Sequence, residues 1–388
     1  MNRSTSNLKF AFLQSLYWSG FCVVFPFLVP LYRHYGYSEI TIGFLSMIAS
    51  LASVVIQPLW GILCDRTGKI RAVFLCAVLA SIPLAFGLWL GRRGALWMGM
   101  AVFLLSATYV SMGTVLDSWT MKMINQGHDV RYSLTRGIGS LAYAATAVVF
   151  GWLLDVAGME IIPPAFALLA VLVLLMAVLT RTPGREAHHG QKGNPFAAFA
   201  GLMRNRRFVL FLISVTLLYA GTGAIMVFMP VRMETLGGTN ATLGIAMTLM
   251  ALCEVPPMLL HHRVVRHIRN ETLLAIAMFF FVVKGIATAL APSAGVLILI
   301  QTLQLVSFGL YLPSAVHHIN LMVDGKGLVT GLLLFSSVTY GVGIMIGSLA
   351  GGIVANAIGV QPMMLVLSGV TLCGCFLFLV TGMHEKQA

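Results

Sequence analysis

The sequence predicts an all-α membrane protein with twelve transmembrane helices in two six-helix bundles. Three observations carry this. The 388 residues are 59% hydrophobic and 9% charged, with a mean hydropathy of +0.92, a composition no soluble globular domain shows. Apolar stretches of about 20 residues, long enough to cross a ~30 Å hydrocarbon layer as a helix, recur along nearly the whole chain. One polar stretch, residues 181–207, divides them six and six. Backbone groups in lipid must be bonded internally, and barrel strands would give a much weaker hydropathy signal, which leaves helices.

Taken in order, the spans fall near residues 9–31, 40–63, 72–91, 96–123, 132–156 and 161–180, then 208–230, 240–260, 272–291, 294–322, 327–357 and 361–382. The first is too long for a secretory signal and lacks a small-residue cleavage site, so it stays a helix. The linker contains R-T-P-G-R-E-A-H-H-G-Q-K-G-N-P, whose Pro, Gly and charge content interrupts helices. The domain reading is therefore a bundle over 1–180, a cytoplasmic linker over 181–207 and a second bundle over 208–388.

A net charge of +12 suggests nucleic acid in a soluble protein, but here it reports topology. With the N-terminus in the cytoplasm, the inner loops hold Arg66, Lys69, Arg71, Lys122, Arg131, Arg204, Arg206, Arg207, Arg263, Arg266 and Arg269, among others. The outer loops hold only Arg33, Arg92, Arg93 and Arg232. This bias places both termini on the cytoplasmic side of a cell membrane, expected to be a bacterial inner membrane. Cys22, Cys64, Cys76, Cys253, Cys373 and Cys375 show no disulfide or metal spacing. No nucleophile, metal or phosphate-binding constellation stands out, so neither enzyme activity nor a metal or cofactor is expected. The expected partners are lipid, a small-molecule substrate and protons, with no nucleic acid, and the chain is expected to act as a monomer.

Ionisable groups inside apolar spans are costly, about 2.5–3.5 kcal/mol on insertion scales, and face a partner or a watery cavity. Asp117 lies well inside the fourth span and Arg136 opens the fifth. If the chain reverses near Gln126 and Gly127, both sit ~10 Å from the turn at 1.5 Å per residue, placed to neutralise each other either as a structural pair or as a binding site. Gln14 and Trp18 are one helical turn apart on the first span, either lining a cavity or packing between helices. In the second half Glu254 precedes a Pro-Pro kink, and Lys284 is the basic residue central to a span, its expected partner. The pair reads either as structural or as a proton carrier. His317 and His318, near the inner end of the tenth span, read as proton relays or as hydrogen-bonded helix-end histidines.

Between spans two and three stands Gly61-Ile-Leu-Cys-Asp65-Arg66-Thr-Gly68-Lys69-Ile-Arg71. It resembles the G-x-L-x-D-R-x-G-R/K-x-R/K signature of the major facilitator superfamily. In that loop Gly61 permits close helix approach, Asp65 caps or faces a helix terminus, Gly68 makes the turn and Arg66, Lys69 and Arg71 hold it inside. The corresponding stretch of the second half, Pro256 to Arg269, is at best a degraded repeat. Phe25-Pro-Phe-Leu-Val-Pro-Leu-Tyr32, Asp117-Ser118, Tyr132-x-x-x-Arg136-x-x-Gly139-Ser140, Glu254-Val-Pro256 and Gln304-x-x-Ser307-Phe308-Gly309 together resemble the branch of lactose permease, nucleoside:proton symporters and phenylpropionate-type permeases. Members often carry Leu-Trp after the arginine, where this chain has Gly137-Ile138.

The resemblance implies a major facilitator fold and alternating access. In lactose permease an acid on helix four and an arginine on helix five bind the sugar, and an aromatic seven residues later stacks on it. It implies those roles for Asp117, Arg136 and Tyr143, although Tyr143 also reads as a packing aromatic. A glycine stripe, Gly343, Gly347 and Gly351, reads as a structural helix contact, with the Asp65 loop end as a partner in one conformation. Drug antiporters of the superfamily carry a proline on helix five, and none occurs between Tyr132 and Ile162. The expectation is proton-coupled uptake of a small polar organic solute such as a sugar or nucleoside. The alternatives are drug or metabolite efflux by proton antiport and uptake of an aromatic carboxylic acid.

Overall fold

The computed structural model describes residues 4–128, 130–180, 201–323 and 328–382. Most of the expected linker, residues 181–200, lies outside the described residues. Twelve helices are long and apolar enough to cross a membrane. The first six are α1 (Asn7–His34), α2 (Glu39–Thr67), α3 (Ile70–Arg93), α4 (Ala95–Asn125), α5 (Tyr132–Ala157) and α6 (Met159–Leu179). The rest are α7 (Arg206–Thr235), α8 (Asn240–Val264), α9 (Asn270–Leu290), α10 (Ala294–Met322), α11 (Gly331–Ile358) and α12 (Val360–Thr381). No strand occurs among the described residues.

The chain forms two compact units, and their membership is not a single cut between α6 and α7. One unit takes α1 through Tyr37, the chain from Ile48 through α6, and Thr239–Thr248 from α8. The other takes Ser38–Met47 from α2, then α7, and everything from Leu249 onward. In the first unit α1 lies along α5 and α6; in the second α7 lies along α11 and α12, the same relation six spans later. Large apolar side chains such as Leu96, Val156, Leu168 and Phe376 remain on the outside, as lipid rather than water requires.

The second unit packs Phe208, Phe211 and Tyr219 of α7 against Phe281 of α9, Tyr311 of α10, Phe335 of α11 and Phe378 of α12. Asn205 caps α7 by accepting from the Arg207 and Phe208 amides at 3.1 and 3.3 Å, so the apolar helix starts with its first donors met. The glycine stripe of α11 makes a close helix contact, as expected of it. Gly343, Gly347 and Gly351 lie against Tyr219, Ala220 and Ala224 of α7, because a bare backbone lets α7 and α11 approach closely.

Two spans contain a π-helical turn, Ser106–Val110 in α4 and Ser337–Gly343 in α11. A π turn carries one extra residue and displaces carbonyls from the regular ladder. In α4 side chains meet them. Tyr17 donates to the Tyr109 carbonyl at 2.8 Å, Tyr109 donates back to the Tyr17 carbonyl at 2.9 Å, and Trp60 donates to the Ala107 carbonyl at 2.7 Å. The Tyr17 and Tyr109 rings stack with centroids 4.8 Å apart. This clasp fixes α1 against α4.

Candidate functional site

In the first unit, α1, α4 and α5 bring the expected polar residues into one cluster, but not in the expected pairing. The Asp117 carboxylate accepts from Gln14 Nε2 at 3.1 Å, and Gln14 Oε1 accepts from Trp18 Nε1 at 2.9 Å. The Arg136 guanidinium then lies over the Trp18 ring, 4.1 Å from its centroid, and donates to Ser140 Oγ at 2.8 Å. Among the described residues Asp117 and Arg136 form no direct ion pair. The physical reason is α1: Gln14 and Trp18, one turn apart, occupy the place between the two charges. Gly139 makes this possible, since a Cβ there would press against Trp18 and Gln14.

Gln14 is fully buried, and both ends of its amide are used in the one sensible orientation, N–H toward the carboxylate and oxygen toward the indole N–H. An indole face attracts a guanidinium by ~1–2 kcal/mol when water is excluded. The cluster therefore holds a carboxylate and a cation apart without leaving either unmet. Tyr143 lies one step farther along α5, its ring 6.5 Å from that of Phe21. Phe21 stacks on Phe25 at 4.8 Å and stands 5.4 Å from Trp18. Phe21 was not singled out from the sequence, although its spacing from Trp18 and Phe25 places all three on one face of α1.

In the second unit Glu254 and Lys284 are linked through a third residue. Lys284 Nζ donates to Gln304 Oε1 at 2.5 Å, and Gln304 Nε2 donates to Glu254 Oε1 at 2.7 Å. Gln304 sits in a 3-10 turn, Gln301–Leu305, inside α10 and is buried. The reversed amide would set N–H against ammonium and oxygen against carboxylate, so the two charges dictate its orientation. Gly309 admits the Pro257 ring against α10, which holds the Glu254 turn of α8 close to Gln304.

The two histidines do not join this group. Gln304 and His317 are thirteen residues apart in α10, or ~20 Å at 1.5 Å per residue. His318 is buried with its ring 5.0 Å from Phe211 and 5.5 Å from Phe378, a packing position between aromatic edges. His317 stands 6.3 Å from the His261 ring, and His261 shares a 3.1 Å hydrogen bond with Ser314.

In the signature loop Gly68 has φ +64 and makes the turn as expected. Gly61, however, has open space beside it rather than a close helix. Asp65 pairs with Lys122 of α4 at 3.5 Å rather than with a helix terminus. Arg71 donates to the Thr180 carbonyl at 3.4 Å and Lys9 to the Leu179 carbonyl at 2.9 Å, so two cations meet the carbonyl end of α6. Arg66 and Lys69 are exposed.

Comparisons with known proteins agree with this architecture. Residues 6–366 match the model of the MFS_1 like family. The chain is 27% identical over 377 residues to the maltose permease of Geobacillus stearothermophilus, covering 95% of this chain and 93% of that one. Its fold superposes on the nucleoside transporter NupG with a TM-score of 0.84 at 16% identity, covering 98% and 100% of the two chains. The fucose:proton symporter FucP of E. coli gives 0.60 at 14% identity, covering all of both.

Proposed function

This chain belongs to the MFS_1 like family and is a major facilitator transporter, and on that premise we propose that it imports a small polar organic solute, a sugar or nucleoside, together with a proton. Alternating access between the two bundles, residues 1–180 and 208–388, performs the transfer. Asp117 and Arg136 hold the solute: the carboxylate accepts from hydroxyls, the guanidinium donates in a planar fork, and the rings of Trp18, Phe21 and Tyr143 pack a sugar or base face. Glu254 carries the coupling proton. Protonation removes its charge from the Gln304–Lys284 chain, and solute and proton together bias the rocking equilibrium. The maltose permease, nucleoside transporter and fucose:proton symporter that the chain resembles support this solute class.

The observation that carries this reading is the Asp117–Gln14–Trp18–Arg136 chain, a carboxylate and a guanidinium fixed apart beside three aromatic rings. The same observation favours a second reading. Because Arg136 is met by an indole face and a hydroxyl rather than by an acid, its remaining donors suit an aromatic carboxylate.

Proteoliposomes given maltose, uridine or phenylpropionate, with proton flux recorded, separate the cases. Protons entering with maltose or uridine support the first reading, and protons entering with phenylpropionate alone support the second. Protons leaving as the solute enters would mean antiport and overturn both.

A further inference from the structure

The two helices whose first turns change units begin alike. Gly36-x-Ser38-x-x-Thr41-x-Gly43 and Gly237-x-Thr239-x-x-Thr242-x-Gly244 share every interval. Gly36 and Gly237 have φ of +74 and +75. The Ser38 and Thr239 hydroxyls then cap α2 and α8 identically, accepting from the Thr41 and Thr242 amides at 3.4 Å. Both first turns lie backbone to backbone on another span. In the second unit Gly43 of α2 meets Ser348 and Gly352 of α11; in the first unit Gly244 and Asn240 of α8 meet Ala147 and Gly151 of α5. Within this repeat Asn356, four residues after Gly352, corresponds to Asp155, four after Gly151.

At that position the symmetry breaks. The first residue of α2 is its own acid, Glu39, whereas α8 begins with the neutral Asn240. The acid for α8 comes from α5. Asp155 Oδ1 accepts from the Asn240 amide at 2.9 Å and from Asn240 Nδ2 at 2.8 Å, and Oδ2 accepts from the Ala241 amide at 2.9 Å. A helix start presents unpaired N–H groups and ~0.5 of a positive charge, so a carboxylate across it is a strong, directed contact. In α2 the compensating acid travels with the helix; in α8 it belongs to a different span.

We propose that Asp155 is a positioning residue: it latches the first turn of α8 to α5 and thereby sets where the helix that carries Glu254 stands. The contact is reversible, since both sides are satisfied by water when it opens. At the counterpart position α11 carries the neutral Asn356 in place of an acid, and the acid at the start of α2, Glu39, belongs to α2 itself. The proposal does not depend on which group carries the proton.

The test uses the full chain in lipid nanodiscs, as wild type, Asp155→Ala, Asp155→Asn and Glu254→Gln. Hydrogen–deuterium exchange reads the first turn of α8, and N-ethylmaleimide labelling of the native Cys253, quantified by peptide mass spectrometry, reads the helix beside Glu254. In Asp155→Ala, exchange over Thr239–Thr248 rises at least tenfold, exchange over Ser38–Met47 stays within twofold, and Cys253 labelling changes at least threefold. Asp155→Asn keeps an acceptor oxygen and falls between. Glu254→Gln leaves the exchange of Thr239–Thr248 as in wild type, so failure of the proton assignment is read separately. Unchanged exchange over Thr239–Thr248 overturns the latch. Faster exchange there with unchanged Cys253 labelling reduces Asp155 to a local cap and overturns the positioning role, as does faster exchange along the whole chain.

Discussion

In the first unit the acid Asp117 reaches the base Arg136 through two side chains, Gln14 and Trp18; in the second, Glu254 reaches Lys284 through one, Gln304. Both use a buried glutamine, whose amide presents a donor to the anion and an acceptor to the other side. The difference lies at the cationic end. Lys284 is a point charge committed to one amide oxygen. Arg136 is a planar fork lying on an indole, with one nitrogen on a hydroxyl and further N–H groups to offer. A short, closed chain suits a group that takes and loses a proton. A longer one, open at its guanidinium and lined with rings, suits a solute of some size.

Substitutions at five positions break or sharpen this contrast. The largest effect is expected from Glu254→Gln, which should lower gradient-driven accumulation at least a hundredfold while solute exchange stays within a few-fold. Accumulation that still follows the proton gradient would move the proton to the first unit and invert the assignment. Next comes Gln304→Leu, which removes two hydrogen bonds to charged groups, each ~1.5–3 kcal/mol before solvent screening at the half-buried Lys284. Thermal unfolding should shift down by several degrees, more than for Gln14→Leu, because in the first unit Arg136 keeps Trp18 and Ser140. An equal shift for both would show the two bridges to be equivalent.

Arg136→Lys should weaken solute binding ~10-fold, since an ammonium cannot reproduce the fork; unchanged affinity by calorimetry would take the first cluster out of the site. The smallest effects are expected at Tyr143. Tyr143→Phe should leave the transport KM within twofold, whereas Tyr143→Leu should raise it several-fold. A large effect of the phenylalanine would assign Tyr143 a hydrogen bond rather than a ring face.

The spans were legible because hydropathy is an additive signal. Each helix must cover ~30 Å of hydrocarbon, and no local detail alters that sum. Asp117, Arg136, Glu254 and Lys284 were legible for the opposite reason, as charges where charges are costly. What joins them was not. Gln14 and Gln304 are neutral, and nothing in a glutamine's neighbours states which way its amide turns. The π turns have no composition of their own, and no pattern in S-A-T-Y-V marks Ser106–Val110 as one. The repeated G-x-[ST]-x-x-T-x-G at α2 and α8 was present in the sequence, but loop glycines and hydroxyls are common enough to hide it. Asp155 was not singled out from the sequence, because the amides it meets lie 85 and 86 residues ahead.

The π turn of α4 bears on how this site tolerates insertion and deletion. Asp117 follows Ser106–Val110 by seven residues, and each residue of an α-helix turns the chain by ~100°. Deleting one residue from the turn restores the regular ladder, withdraws the carbonyls that Tyr17 and Trp60 meet, and alters the rotational phase of everything after it. The carboxylate would survive in the sequence and point elsewhere. A span whose length and hydropathy scarcely changed would lose its match to Gln14, so the register of α4 is as much a determinant of the site as the identity of residue 117.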